Sequence, residues 1–568
     1  MILGIDLGTS NSMAAVYKEG QPIIIESRTG RNVIPSFVSV DEKGNFFAGD
    51  VAKERAIPYP EQTVSNFKRS MGTGQMFSIG GKELKAVELS SIILRNIKAD
   101  AEKFLGEEVK EVVISVPAFY SNPQRKAVIQ AGELAGFQVR QIVNEPTAAA
   151  MAYGVREEYL EGETGETKVI MVMDLGGGTF DISIVEQTDD IMEVVAVRGD
   201  NHLGGEDFTR LLMKLFLEAN GIREPLEQGE EIALWKQAEQ AKRMFALNGI
   251  GKMHVEIKGK SYAYEISEQE YEKECFSLLE RIRKLALKSV DDSKYEMQDI
   301  SEILMVGGGL KLSVIQNMIK KLMGKQLEYK INPDEAVVLG VALAGHLLEQ
   351  HHGVKDLIMT DVCPYDLGYD VYAEQGCDIQ HKFKVLIAKN TTIPVKRIKY
   401  DLVKKGQQGR RIFILLQKTE GYVDEAVELG KIYYRIPATE TGKCHLEYTI
   451  VYDTNGIVKV EIYIYENDLR KEMYILNENC ELTMEEAKKR MEELNYLKAS
   501  PLEEEDNRLL VARAERMYAE YTGKERQQIG AYLKKFEDAM HSYDEERIAI
   551  VKEQVKQLLD GIEREIFY

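Results

Sequence analysis

The sequence is poor in cysteine and histidine, with 5 and 8 of them in 568 residues. The cysteines are Cys275, Cys363, Cys377, Cys444 and Cys480, an odd number with no C-x-x-C pair among them. Neither a disulfide framework nor a Cys/His zinc site is expected, and the thiols read as reduced. Long apolar runs are also missing. A membrane-spanning helix needs about eighteen or more consecutive apolar residues, and no such run occurs, so no span is expected. The opening MILGIDLGTS has no basic n-region and no long apolar stretch. No signal peptide is therefore expected, and the compartment reads as cytoplasmic. Positive charge is in deficit: Lys plus Arg is 73 against 93 for Asp plus Glu, a net charge of −20. That balance argues against a nucleic-acid binder. It leaves room for an anionic ligand held by backbone N–H groups, a few lysines and a divalent metal.

Hydrophobic residues make up 44% and charged residues 29%, the balance of a folded chain with a real core. At about 150 residues per domain the length predicts three to five domain-sized units. Residues 1–352 alternate between strand and helix patterns. Val112–Val116, Ile170–Met173 and Met305–Val306 are apolar strand candidates, and a helix is predicted over 124–136. Such alternation predicts parallel sheets in an α/β architecture, with ligands gathered at the carboxyl ends of the strands. Residues 353–361 form a short segment with an apolar Leu357–Met359 flanked by acids. From 362 to 482 the sequence is strand-like; Ile412–Leu416, His445–Tyr452 and Ile457–Tyr465 are rich in β-branched and aromatic residues, with a turn at Thr454–Gly456. Residues 483–568 carry 20 acids and 15 bases at helical spacing, after a capping box of Thr483 with Glu486. A small helical bundle with Leu509, Leu510, Ile529, Leu533 and Phe536 in its core is predicted. Without sustained heptads it is not expected to be a coiled coil, although docking as a dimerisation element is the competing reading.

One short motif occurs twice. Ile5–Asp6–Leu7–Gly8–Thr9 and Met173–Asp174–Leu175–Gly176–Gly177 each read as a strand, an Asp and a glycine turn, followed by returning strands at Ser12–Tyr17 and Phe180–Glu186. Five matched residues fit either two related lobes or a chance duplication. Small residues at tight turns let backbone N–H groups approach phosphate oxygens. Gly8–Thr9–Ser10 and Gly176–Gly177–Gly178–Thr179 could thus face a triphosphate across a cleft, with Asp6 and Asp174 near a metal; taken singly, each is also an ordinary structural turn. Gly307–Gly308–Gly309 follows a third strand. Gly259–Lys260–Ser261 lacks the opening glycine of a P-loop, since position 254 is His, and reads as a hairpin turn. No strand runs into G-x-G-x-x-G, which disfavours dinucleotide oxidoreductases.

Longer motifs carry a resemblance over nearly the whole chain. GIDLGTSNS at 4–12, FKR at 67–69, VVISVPAFY at 112–120, NEPTAAAMAYG at 144–154 and DLGGGTFDISIVE at 174–186 are joined by HLGGEDF at 202–208, MVGGG at 305–309, NPDEAV at 332–337 and KNTTIP at 389–394. The sequence resembles the DnaK-type 70-kDa heat-shock chaperones. TDVCPYDLG at 360–368, ELSS at 88–91 and the short tail look most like the HscC branch. The resemblance implies a multidomain protein. It would have an actin-like α/β ATPase domain of duplicated ribonuclease-H-like lobes (1–352), an interdomain linker (353–361), a β-sandwich that binds peptides (362–482) and a short α-helical lid (483–568).

It also implies ATP/ADP and Mg2+ as ligands, with roles for named residues. Asp6, Asp174 and Asp181 would organise magnesium and water, mostly through bound waters. Gly8, Thr9, Ser10, the Gly176–Gly178 backbone and Thr179 would hold phosphates. Lys68 would face the γ-phosphate, and Glu145 would help place water and signal between lobes. Glu239 and Lys242 share a helix face toward the ribose, Arg243 would stack on adenine, and Gly307, Gly308, Lys311 and Asp334 would back the nucleotide. Ala246 and Lys311 stand where relatives carry serine and arginine, which implies weaker nucleotide affinity with adenine preference retained. Pro117 would be the switch proline, and Leu357, Ile358, Met359 and Asp361 the coupling linker.

Peptide contacts would come from Tyr369 and Tyr372 in the first binding loop, and from Lys404 and Arg411. These make a more aromatic and basic pocket with a narrow client range, unless Arg410 and Arg411 are a solvated strand start. A short lid implies weak closure and fast peptide exchange. Unfolded or extended polypeptides are the implied partners, with a dedicated J-domain co-chaperone, because Arg140–Gln141 replaces two basic residues. The compact stretch between Phe208 and Asn332 makes the usual exchange factor doubtful. A monomer without nucleic-acid or membrane partners is expected. Two other readings remain: an actin-like-fold small-molecule kinase, and a regulatory scaffold with weak ATPase.

Overall fold

Ile2–Asp6 and Thr167–Leu175, the strands that end in the repeated Asp-Leu-Gly, are buried over most of their length, and each is an interior strand of its own six-stranded sheet. Burial on both faces explains why they read as continuous apolar runs. The computed structural model describes the chain except for residues 155–166, 189–190, 325–330, 350–357, 374–382, 404–408, 419–425, 440–442, 454–457, 475–504, 522, 542–544 and 566–568. Ile2–Asp6 pairs in parallel with Glu111–Val116 and antiparallel with Asn11–Lys18. Thr167–Leu175 repeats this, parallel to Glu302–Val306 and antiparallel to Phe180–Thr188. Both glycine turns therefore leave the carboxyl end of a strand that is flanked in the same way.

Two apolar helices, Glu145–Gly154 and Ala336–Leu348, pack against each other between the sheets. Their backbones nearly touch: a Cβ on Gly340 would fall 1.7 Å from the Ala148 carbonyl oxygen. Two helix backbones can come this close only where a side chain is missing. The predicted helix at 124–136 is Asn122–Leu134, opened by a capping box of Ser121 and Gln124. Gly259–Lys260–Ser261 is a hairpin turn, as expected. Lys258 (φ 50°) and Gly259 (φ 72°) both take positive φ between Ile250–Ile257 and Lys260–Ser267, the twist a two-residue hairpin needs.

The segment 353–361 is more than a tether over its described part. Ile358–Val362 is a strand, which runs across the 361/362 boundary drawn from sequence. It extends the second sheet, with Ile358 opposite Ile191, Met359 opposite Met192 and Thr360 opposite Glu193, while its other edge takes Thr392–Ile393. Leu357 lies outside the described residues.

Beyond it, two four-stranded antiparallel sheets share one core. One contains Asp366–Ala373, Lys384–Ile387, Gly409–Lys418 and Val427–Ile436; the other contains Val395–Val403, Cys444–Tyr452, Val458–Ile464 and Leu469–Tyr474. Alternate residues of Val458–Ile464 are buried, the period of a half-buried strand. The tail helices Glu505–Glu520, Gly523–His541 and Glu545–Glu565 pack around Leu510, Met517, Ile529, Phe536, Val551 and Leu559. Leu533 packs at the edge of that core and Leu509 is half-buried. The capping box at 483–486 and the turn at 454–456 lie outside the described residues. Cys275, Cys363 and Cys444 are buried free thiols, and burial pushes each up to about 12. Among the described residues no helix is long and apolar enough to cross a membrane.

Candidate functional site

The ends of the two matching strands open on one cavity of about 3230 Å³ between the lobes. Asp6, Gly8, Thr9, Ser10, Lys68, Glu145, Asp174, Gly176, Gly177 and Thr179 line its inner part. The two glycine turns meet there, because a Cβ on Gly177 would fall 2.0 Å from Ser10 Oγ. Each turn is held from behind. Gly8 O accepts from Ser36 Oγ at 2.8 Å and Ser10 O from Ser36 N at 2.9 Å. Gly176 O and Gly177 O accept from the first N–H groups of the helix Gly205–Ala219. Both turns are thus held by hydrogen bonds from the protein itself.

Lys68 sits in the 3-10 turn Phe67–Ser70, buried to 3% exposure, with Nζ 3.0 Å from Glu145 Oε1. Burial disfavours its charge, but Glu145, Tyr120 and Asp6 outweigh that and hold the proton above the ordinary lysine range. Glu145 opens the helix Glu145–Gly154, so the pair links one lobe to the inter-lobe helices. Three further carboxylates crowd the same space. Asp6 accepts from Ser115 Oγ at 2.6 Å. Asp174 is held well above the carboxylate range by burial first, then by Glu145, Asp181 and Asp6. Burial and then Glu145 push Asp181 up to about 8, against the N–H groups of Phe119 and Ala118 and the Arg125 charge. Three buried acids and the half-buried Asp6 around one lysine are short of positive charge, which is the environment a divalent cation relieves.

The structure places two of the sequence-derived positions behind the cavity wall. Asp181 is not among the residues lining the cavity. Its Oδ2 accepts from Ala118 N at 3.1 Å and its Oδ1 from Phe119 N at 3.3 Å, so it stands behind the wall and anchors the segment after Pro117. Gly178 also lies off the lining, because Arg69 covers it and a Cβ there would meet Arg69 Nε at 2.4 Å. That arginine was not assigned a role from sequence, although FKR and HLGGEDF contain the whole arrangement. Arg69 Nη2 donates to Gly177 O at 3.2 Å and to Asp207 at 3.1 Å, while Ser10 Oγ donates to Glu206 at 3.1 Å. The two turns are therefore cross-linked between lobes beside Lys68.

Glu239, Lys242 and Arg243 line the outer cavity from the helix Gln228–Asn248, as does Ala246. Lys242 Nζ donates to Gly205 O at 2.9 Å, Thr209 Oγ1 at 2.7 Å and Glu239 at 2.5 Å, which ties this helix to the start of Gly205–Ala219, the helix behind the second glycine turn. Gly307, Gly308, Lys311 and Asp334 complete the opposite wall, with Lys311 Nζ 2.5 Å from Asp334. Gly307 has φ 82°, and a Cβ would sit 2.5 Å from Leu175 O, so only glycine fits.

Away from the cavity, Asp361 accepts from Asn144 Nδ2 at 2.5 Å and from Thr147 Oγ1 at 3.0 Å, on either side of Glu145. Tyr365 OH donates to Phe119 O, next to the peptide N–H that reaches Asp181. Sequence reasoning missed Asn144, Thr147, Tyr365 and Phe119, since no spacing rule pairs residues more than 200 apart.

Tyr369 and Tyr372 do not lie in a loop; both are on the strand Asp366–Ala373, where Tyr372 registers with Ile412. Tyr369 is 1% exposed and stacks on Phe413 with ring centroids 5.1 Å apart, a core residue of the β unit. Arg410, exposed, and Arg411, half-buried, are the second and third residues of the strand Gly409–Lys418, with Arg411 opposite Ala373 and Tyr434. Lys404 lies outside the described residues. Arg140 pairs with Glu111 on the neighbouring strand.

Two comparisons bear on this geometry. The family described as "Hsp70 protein" matches residues 2–566. The chain is also 34% identical over 524 residues to the "Chaperone protein DnaK" of Thermotoga neapolitana, covering 89% of this chain and 85% of that one.

Proposed function

The chain belongs to the Hsp70 family, and on that premise we propose that it is an ATP-driven chaperone whose hydrolysis sets its grip on extended polypeptide. The observation that carries the proposal is the meeting of Thr9, Lys68, Glu145, Asp174 and Thr179 in one inter-lobe cavity whose second sheet continues directly into the strand Ile358–Val362. Residues 1–352 act as duplicated actin-like lobes, 362–482 as the peptide-binding unit and 483–568 as a short lid, most like the HscC branch.

The chemistry is positioning and charge balance, with no covalent step. ATP with Mg2+ supplies the γ-phosphoryl group and the positive charge that the acid cluster lacks. Among the described residues no three His, Cys, Asp or Glu side chains converge closely enough to bind a metal directly. Asp6 and Asp174 would hold the ion, mostly through bound water. Lys68 keeps its proton, faces the phosphate and orients water, and Glu145 fixes the Lys68 head. Thr9, Thr179 and the Gly8–Ser10 and Gly176–Gly177 backbones bind phosphate oxygens. Glu239, Lys242, Arg243, Gly308 and Asp334 receive the nucleoside. Asp181 acts as a positioning residue for the segment after Pro117.

Two contact chains support coupling. One runs from Lys68 through Glu145 and its neighbours Asn144 and Thr147 to Asp361. The other runs from Asp181 through Phe119 to Tyr365. Each joins the cleft to the start of the β unit, so a change in lobe angle is felt there. A dedicated J-domain partner, with the usual exchange factor doubtful, completes the reading.

The fate of the γ-phosphate tests it against a small-molecule kinase. Labelled ATP should release inorganic phosphate slowly, faster with unfolded peptide; stoichiometric transfer to a small acceptor would defeat the chaperone reading. A peptide array probed in ATP and in ADP tests the pocket. Arg411→Glu should remove acid-flanked apolar peptides from the profile and Tyr372→Ala should weaken aromatic ones. An unaltered profile in both variants would show that these residues do not touch the client.

A further inference from the structure

The helical tail crosses the mouth of the cleft. From one rim, the helix Asp50–Arg55, Glu54 accepts from Arg516 Nε. Arg516 Nη1 bonds Glu520 at 2.7 Å, one turn further along the tail helix Glu505–Glu520. Glu520 in turn pairs with Lys236 at 2.5 Å. Lys236 belongs to Gln228–Asn248, the helix of the other rim that also carries Glu239, Lys242 and Arg243. An unbroken series of four alternating charges, Glu54, Arg516, Glu520 and Lys236, thus joins the two rims through the tail.

Other contacts hold this arrangement in place. Tyr59 OH donates to Glu515 at 3.2 Å, and the Arg508 guanidinium lies 5.3 Å from the Phe47 ring centroid. Arg516 is only 12% exposed and is braced from the tail's own last helix by Glu563 at 2.6 Å. Arg516, Ala519, Glu520 and Tyr521 line the same cavity as Asp6, Lys68 and Gly177. Across the rims themselves, Lys53, beside Glu54, is held below the ordinary lysine range by burial first, and the like charge of Arg243 on the facing helix adds to this against Glu54 and Asp50.

We propose that the tail is a clamp on the nucleotide cleft, with Arg516 and Glu520 tying Glu54 of one rim to Lys236 of the other so that bound nucleotide leaves slowly. The clamp rests on the nucleotide reading of the cavity and adds to it a role for the tail at the cleft. A rim that must swing outward to release nucleotide has to break Glu54–Arg516 or Glu520–Lys236 first. Charge pairs that are partly shielded from water act mainly on dissociation rates.

The test is release of a fluorescent ADP analogue from the full-length chain, chased with unlabelled ATP in a stopped-flow instrument. Glu54→Gln and Lys236→Gln each remove a lobe-side partner and leave the tail's own Arg516–Glu520 and Arg516–Glu563 bonds in place. Release should quicken about five-fold in Glu54→Gln and about two- to three-fold in Lys236→Gln, the scale of a partly buried and a more exposed charge pair. Lys535→Gln, at a tail lysine bonded to Gln554 within the bundle, should leave the rate unchanged. Unchanged release in either lobe-side variant would overturn the clamp, as would equal acceleration by Lys535→Gln. If the unaltered chain bound no ADP analogue, the nucleotide reading itself would fall and the clamp with it. Binding with unaltered release in the lobe-side variants removes the clamp alone.

Discussion

Lys68→Ala is expected to retain ATP and to slow single-turnover hydrolysis by about a hundred-fold or more, the scale of removing one preorganised charge from a transition state. The lysine is nearly sealed from solvent, and Glu145, Tyr120 and Asp6 keep it protonated. Its charge is therefore in place near neutral pH and does not have to be recruited during the reaction. Binding should survive because the two glycine turns are set by Ser36 and by the helix Gly205–Ala219, independently of Lys68. The substitution also leaves Glu145 beside Asp6, Asp174 and Asp181 with no lysine among them, so the ligand-free variant should unfold at lower temperature, and Mg-ATP should restore much of the difference. Equilibrium binding and quenched-flow hydrolysis on the same preparation make the check. Wild-type turnover would take Lys68 out of the chemistry.

The second large effect concerns the distant grip. Peptide should leave about ten-fold or more faster with ATP bound than with ADP, within the span that a coupling of 1–3 kcal/mol allows. Asp361→Ala should bring that ratio close to one. Asp361 is where the strand Ile358–Val362 is fastened to Asn144 and Thr147, and those residues flank the glutamate that holds Lys68. Without the carboxylate, main-chain pairing with Ile191–Asp200 remains but no longer reports on Glu145. Fluorescent-peptide dissociation in each nucleotide provides the measurement. Equal rates in the unaltered protein, once both nucleotides are shown to bind, would defeat the proposed coupling. A full nucleotide effect in Asp361→Ala would move the coupling elsewhere.

Much of this molecule was legible before its structure. Burial on both faces makes Ile2–Asp6 and Thr167–Leu175 continuous apolar runs, and half-burial makes Val458–Ile464 alternate. Those patterns are local, and they led to the correct classes of element. The glycine turns were found because a tight turn at a strand end leaves few choices of residue. Gly259–Lys260–Ser261 was separated from a phosphate loop by one missing glycine. Where the reading failed, burial was the cause. Tyr369 was placed in a binding loop, but a large aromatic side chain two residues from Leu367 on the same strand face belongs to the core. Burial also gives Asp181 partners that no pattern announced, since both its oxygens accept from backbone N–H groups.

The sequence alone determined which segments become strands and helices, where the tight turns fall and which acids and lysine are available, because these follow from periodicity and residue chemistry over a few neighbours. Only the tertiary structure decided that Arg69 would bind across the lobes, that Asp361 would reach Asn144, that Ile358–Val362 would join the second sheet, and that Arg516 and Glu520 would lie between Glu54 and Lys236. Each is a contact between residues far apart in the chain. Their meeting depends on how whole elements pack, and no short-range pattern encodes it.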